Sequence, residues 1–216
     1  MINPRTSPSP TQRSHKWAEY RPGGLSRLRL LVLSLGAGLL LAQSETPLPY
    51  AVPEAYEVYS AILPDEWAVS IAGAKRLVIR EETTTYKMCL EPEAGFARVV
   101  APAIASYTEV NRKTWSLQRN FHIDLPYILA AAADLTNLFN TRGLDGWKEF
   151  YKNHPDSGGW IALSAVGFND DKTVAVVYHA HHCGNLCGGG GFTVLQKKDG
   201  KWRPFEFKGA ACAWAS

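Results

Sequence analysis

The segment His179–Gly191, HAHHCGNLCGGGG, places three histidines, two cysteines and five glycines in thirteen positions. Imidazoles and thiolates together are a ligand set for zinc or cuprous copper. Two thiols this close could also form a redox pair or a structural disulfide. A metal site would draw on His179, His181, Cys183 and Cys187. The spacing is unlike that of C-x2-C zinc modules, and oxidation would remove the thiolates. A redox dithiol wants C-x-x-C at a helix N-terminus, whereas three residues separate these cysteines. A c-type haem would need C-x-x-C-H, which is absent. The chemistry that remains favoured is a disulfide, Cys183–Cys187, closing a tight loop in an oxidising compartment. Cys89 and Cys212 would then be a longer-range pair or free thiols; four cysteines allow three pairings, and spacing does not choose among them. Asn185 and the glycines Gly188, Gly189, Gly190 and Gly191 are expected to form the turn and binding loop, the glycines through positive φ.

Elsewhere the chain has no G-x-S-x-G elbow, H-E-x-x-H helix, phosphate loop or D-x-D-x-D-G calcium loop, and no N-x-[ST] acceptor. Glu81 and Glu82 are adjacent on an expected strand and so point to opposite faces. Ser164 sits between Leu163 and Ala165, which suits a core-edge residue better than a nucleophile. His122 and His154 are isolated. A hydrolase built on either would need a deep pocket with an acid beside it. Seven tryptophans are numerous, and Trp147, Trp160, Trp202 and Trp214 fall in or beside the C-terminal elements. Core filling is expected for rings that bury so much area, with an aromatic binding platform as the alternative.

The compartment decides the cysteine chemistry, and the N-terminal residues speak to it. Residues 1–24 are rich in Pro, Ser and Arg without apolar periodicity and are expected to be disordered, or to precede a true start near Leu25. Residues 25–44 follow with Arg27 and Arg29, an apolar run from Leu30 to Ala42, and small residues at Ala42 and Ser44. That is the order of a secretory signal peptide cleaved after Ser44. The run is shorter than the roughly 18 residues a membrane span needs. The whole chain carries a net charge of +3. Residues 1–44 hold six of the 23 basic residues and one of the 20 acidic ones, so Glu45–Ser216 is left at −2. No basic patch with interleaved aromatics survives, so nucleic acid is not an expected partner. The expected partner is a ligand or an envelope component, with no stable transmembrane span after cleavage.

The elements that must hold the hairpin can be read from periodicity. Residues 54–63 show Ala55, Tyr59 and Ile62 at helical spacing, with Pro64-Asp65 as the stop. Residues 77–85 are β-branched and read as a strand. Tyr107, Val110, Thr114 and Leu117 predict a helix over 107–117. Residues 126–139 fit either a strand and turn or one Ala-rich helix, with propensity favouring the helix. Residues 145–152 predict a short helix before His154-Pro155. Four β-rich runs follow at 159–168, 173–182, 192–198 and 201–207, with Asp199-Gly200 as a hairpin turn and 210–216 as a fifth extended segment. Pro204 assigns its strand to an edge or a bend. Residues 45–216 are therefore expected to be one α+β domain, N-terminal helices packed on one face of a C-terminal antiparallel β-meander. Alternation along 174–182 puts His179 and His181 on one face and His182 on the other.

The stretches AYEVYSAIL (55–63), LVIREET (77–83), LSAVGFNDDKTVAVVY (163–178), CGNLCGGGGFTVLQKKDGKW (183–202) and the closing WAS resemble a group of exported bacterial proteins. These share a C-G-x-L-C-G-x-G turn in a C-terminal hairpin and a K-x-D-G-x-W step. The resemblance implies a secreted or periplasmic α+β domain with no assigned reaction. The His179–His182 lead-in is not part of that pattern, so any metal role would be local to this chain. The D-G-x-W hairpin also resembles the curved sheets of the nuclear-transport-factor-2-like fold, an alternative architecture. The sequence reading is thus a non-enzymatic binding or envelope-associated module without a cofactor. The alternative is a zinc-, copper- or thiol-dependent protein using the His179–Cys187 segment.

Overall fold

In the computed structural model, which describes residues 46–63 and 73–216, the β-rich runs of the C-terminal third become one continuous meander. Strand β4 (Trp160–Leu163) and the short β5 (Gly167–Phe168) both pair with the long β6 (Val174–Gly184). β6 pairs antiparallel with β7 (Cys187–Lys198), and β7 with β8 (Lys201–Pro204). Asp199 and Gly200, with φ of 51° and 75°, form the tight turn into β8, which among the described residues pairs with β7 alone. That edge position accommodates Pro204, which has no N–H to give. β10 (Ala213–Ala215) pairs antiparallel with β7 across Gly189–Gly191.

The sheet is larger than the meander. β1 (Leu77–Arg80) lies parallel to β4 and to β3 (Tyr127–Ala130), giving the order β10-β7-β6-β4-β1-β3. Residues 126–139 are thus strand and then helix. A separate pair joins β2 (Glu91–Pro92) to β9 (Gly209–Ala210). The result is an α+β fold whose helices pack on the sheet, but on both faces rather than one. Helix α1 (Pro53–Ile62) opens with proline in its first turn and buries Ala55, Tyr56, Val58, Tyr59 and Ile62. These meet Ile79, Ile161, Ala175, Val177 and Leu195 on one face. Helix α2 (Ala94–Val110) lays Val100, Ala103 and Tyr107 on Val174, Val176 and Tyr178 of the other face. Helices α3 (Ala132–Arg142) and α4 (Gly146–Asn153) cover that second face beside it, through Leu135 and Phe150 on Val78.

The helix expected over 107–117 ends at Val110. There Asn111 turns its carboxamide to the sheet, accepting the Ala165 N–H (2.9 Å) and donating to the Ala165 carbonyl (3.0 Å). The chain between β4 and β5 leaves the ladder, so its polar groups need partners. Ser164 Oγ accepts the Tyr178 N–H (2.9 Å), and the Tyr59 hydroxyl donates to the Ser164 carbonyl (2.7 Å). Tyr50 accepts the Val166 N–H (2.9 Å). Burial pushes both phenols above their ordinary range, so they remain protonated. Ser164 is therefore a wholly buried structural residue.

All described residues belong to one unit, Ser44–Ser216. The expected leader (25–44), the expected extension before it (1–24) and the Pro64-Asp65 helix stop lie outside the described residues. Among the described residues, no helix is long and apolar enough to cross a membrane.

Candidate functional site

The four cysteines form two disulfides, Cys183–Cys187 and Cys89–Cys212, with Cα separations of 5.1 and 5.8 Å. The first closes the tip of the β6–β7 hairpin. The register runs unbroken to His182↔Gly188, shifts by a bulge, and ends at Gly184↔Cys187. Asn185 and Leu186 make the tip, and Leu186 is 88% exposed. From the second face, the Tyr151 hydroxyl of α4 donates to the Cys183 carbonyl (2.7 Å), which fixes the hairpin against the helices.

Gly188–Gly191 do not form a turn. They lie inside β7, and none has positive φ. Their role is steric. A Cβ at Gly190 would stand 2.6 Å from Trp214 Nε1, 2.7 Å from Tyr178 Oη and 2.8 Å from Ala180 Cβ. The missing side chain lets the Trp214 indole lie across β7 and donate to Tyr178 Oη (2.7 Å). At Gly191 the nearest atom to such a Cβ, Ala213 Cβ, is 3.5 Å away, an ordinary contact.

These glycines open a groove on the first face, at the hairpin end of the sheet. It has a volume of about 430 Å³. Gly189 and Gly191 floor it, His179, His181 and Thr193 stand along it, and Ala213 and Ala215 of β10 form its outer wall. The structure thus brings His179 and His181 to one face of the strand. His179 Nε2 is 2.8 Å from Thr193 Oγ1. His181, only 5% exposed, donates from Nε2 to the Gly158 carbonyl (2.9 Å). It is a packed residue rather than a surface one.

On the opposite face His182 stacks on Trp160, with ring centroids 4.0 Å apart, and meets Trp214 at 5.3 Å. Burial, then the neighbouring His181 and Arg80, push its pKa down to about 4, so it is neutral at pH 7. Trp160 Nε1 is buried without a hydrogen-bond partner among the described residues. Trp202 is core, at 7% exposure, and Trp147 packs among Phe139, Phe150 and Tyr151. Trp202 thus belongs to the core, whereas Trp147, Trp160 and Trp214 are half-buried.

The sulfurs of Cys183 and Cys187 are bonded to each other and offer no thiolate in this state. Among the described residues no three His, Cys, Asp or Glu side chains are grouped to hold a metal ion. His122 is exposed. His154, with Glu81 and Asp134, lines a second cavity at the far edge of the sheet.

In comparisons with protein-family models, curated proteins and solved structures, nothing matches the chain. The site is therefore read from its own geometry. The sequence pattern brings out the histidines, cysteines, glycines and Trp214, but not Thr193, Ala213, Ala215 or Tyr151 as site residues. Thr193 pairs with Val177 and so shares the face of His179, which follows from alternation only once the register is known; Ala213 and Ala215, within the expected extended segment 210–216, carry no chemical signal.

Proposed function

We propose that the protein is an exported binding module whose ligand sits in the glycine-floored groove beside the disulfide-closed hairpin. The groove carries this reading. Its volume of about 430 Å³ falls within the roughly 300–1,000 Å³ of small-molecule sites. Its walls are held rigid by the Cys183–Cys187 bond, the Tyr151–Cys183 hydrogen bond and the Trp214–Tyr178 contact. Rigid elements hold recognition surfaces with little ordering cost. The ligand is a small molecule, or a group of an envelope component small enough to enter. The reading assigns no reaction, cofactor or nucleic-acid partner.

The signal-peptide pattern of residues 25–44 and the two disulfides support export to the periplasm or beyond. The C-G-x-L-C-G-x-G hairpin and the K-x-D-G-x-W step support membership of the exported bacterial group they resemble.

A protein-observed NMR screen of a fragment library tests the groove, run on the native protein and on Gly191→Val, whose side chain would occupy the groove. Compounds that shift the His179 and His181 ring protons in the native protein but not in the variant are expected. Hits indifferent to Gly191→Val, or no hits, would remove the reading. Elemental analysis with a thiol count covers the alternative, since stoichiometric zinc or copper with free thiols would favour the metal site. N-terminal sequencing of the native product should begin at Glu45; a cytosolic chain retaining residues 1–44 would refute export.

A further inference from the structure

The second cavity lies at the opposite edge of the sheet, where β3 is the outermost strand. Its volume is about 520 Å³. Three elements shape it: β3, α3 and the C-terminal end of α4. Ile128, Leu135, Leu138 and Phe150 supply an apolar floor, and the buried pair Leu135 and Phe150 anchors both helices on Val78. The cavity is therefore lined by packed secondary structure and exists without a ligand to form it, as small-molecule sites usually do.

The polar lining is one-sided. Glu81 and Asp134 contribute carboxylates, and Asn153 and His154 contribute neutral groups. Among the described residues no lysine or arginine lines the cavity. Neither carboxylate forms an ion pair among the described residues. The His154 pKa is lowered by burial and then by the Arg76 charge, so at neutral pH it does not offset them. A cation resting on this floor has two acidic residues in the lining, with the Arg76 charge acting nearby on His154.

We propose that this cavity binds a small organic cation, a protonated amine carried on an apolar body. The ammonium faces Glu81 and Asp134, and the apolar body covers Leu135, Leu138 and Phe150. An anion of the same shape is rejected, because it would bring a third negative charge beside these two carboxylates. The site is independent of the hairpin groove, and either could exist without the other.

A matched pair of probes tests it: 4-phenylbutylamine and 4-phenylbutyrate, which share one apolar body and differ in charge. Each is titrated into the purified protein and followed by amide NMR. The amine should saturably shift resonances of residues 128–138 and 150–154, with at least tenfold higher affinity than the acid. Glu81→Gln with Asp134→Asn should weaken the amine about tenfold and narrow the gap to the acid. Asp134 is exposed and Glu81 half-buried, and neither side chain forms an ion pair among the described residues, so a thermal melt of the variant checks that the fold is kept. Equal binding of the two probes, undiminished amine binding in the double variant, or shifts absent from this region would each overturn the proposal.

Discussion

At Gly190 and Gly191 one strand makes two opposite demands. Gly190 lies under Trp214 and Tyr178, and an added methyl would meet both within 2.7 Å. Gly190→Ala should therefore cost about 2–3 kcal/mol through overpacking and loss of the indole–phenol hydrogen bond. At Gly191 the new methyl makes only ordinary contacts. Replacing a strand glycine there should be neutral or stabilising by up to about 1 kcal/mol. Urea denaturation of the two variants checks the contrast, and equal effects would contradict the close approach at Gly190. His182 gives a second residue-scale outcome. Its pKa falls from 6.5 to about 4 on folding, so between those values the unfolded chain binds a proton that the native state lacks. Stability contributed by this group is thus lost as pH falls from about 6.5 to about 4. Allowing for its partial exposure, the loss is about 1–2 kcal/mol. His182→Phe keeps the stacking on Trp160 without the titration, so it should flatten the pH dependence of the urea midpoint over that window. An unchanged slope would assign the protons elsewhere.

Among the elements, the β6–β7 hairpin shows which interactions set its form. The ring closed by Cys183 and Cys187 spans a sequence separation of only 4, and on chain entropy such a ring is worth about 2 kcal/mol. The register is set instead by pairing from Val174↔Gln196 to His182↔Gly188 and by two hydrophobic clusters on opposite faces. Cys183→Ser with Cys187→Ser should lower stability by about 2 kcal/mol or less, leaving amide protection from Val174 to His182 intact while the tip exchanges faster. Loss of protection along the whole strand would mean that the disulfide sets the hairpin. The same hairpin shows what a sequence can and cannot reveal. Alternation in TVAVVYHAHH separated the faces, because burial on a pleated strand has a period of two. It also put His179 and His181 together. The glycines misled because their backbone freedom suggests a turn, whereas their actual constraint comes from Trp214, more than twenty residues further along. The parallel pairing of β3 with β1 was equally hidden, since the two strands are joined by a long crossover through α2 and no local pattern fixes their register. The early part of α2 was obscured by Pro102, which sits inside the helix.

Across the whole molecule, the last dozen residues act as an arm. After β8, Phe205 and Phe207 pack on the α2 side, β9 pairs with β2, Cys212 joins Cys89, and β10 returns to β7 as the wall of the groove. Much of the arm is exposed, so apolar burial alone holds it weakly. The Cys89–Cys212 bond, with a sequence separation of 123, is therefore its principal tether. A loop of that length restrains the unfolded chain by about 5 kcal/mol on chain entropy, more than twice the value for the hairpin ring. Cys89→Ser with Cys212→Ser should accordingly lower the urea midpoint far more than the hairpin double variant. It should also do something the hairpin variant does not. With the tether cut, β10 is left with a three-residue ladder, the Ser216 N–H to the Gly188 carbonyl and the Trp214 indole on Tyr178 and His182, so the Ala213–Ala215 amides should exchange faster while β6 remains protected. Groove binding would weaken with them, since Ala213 and Ala215 form one of its walls. Hydrogen exchange on both double variants decides the matter: if β10 stays as protected as β6 after Cys89 and Cys212 are replaced, packing rather than the disulfide secures the arm.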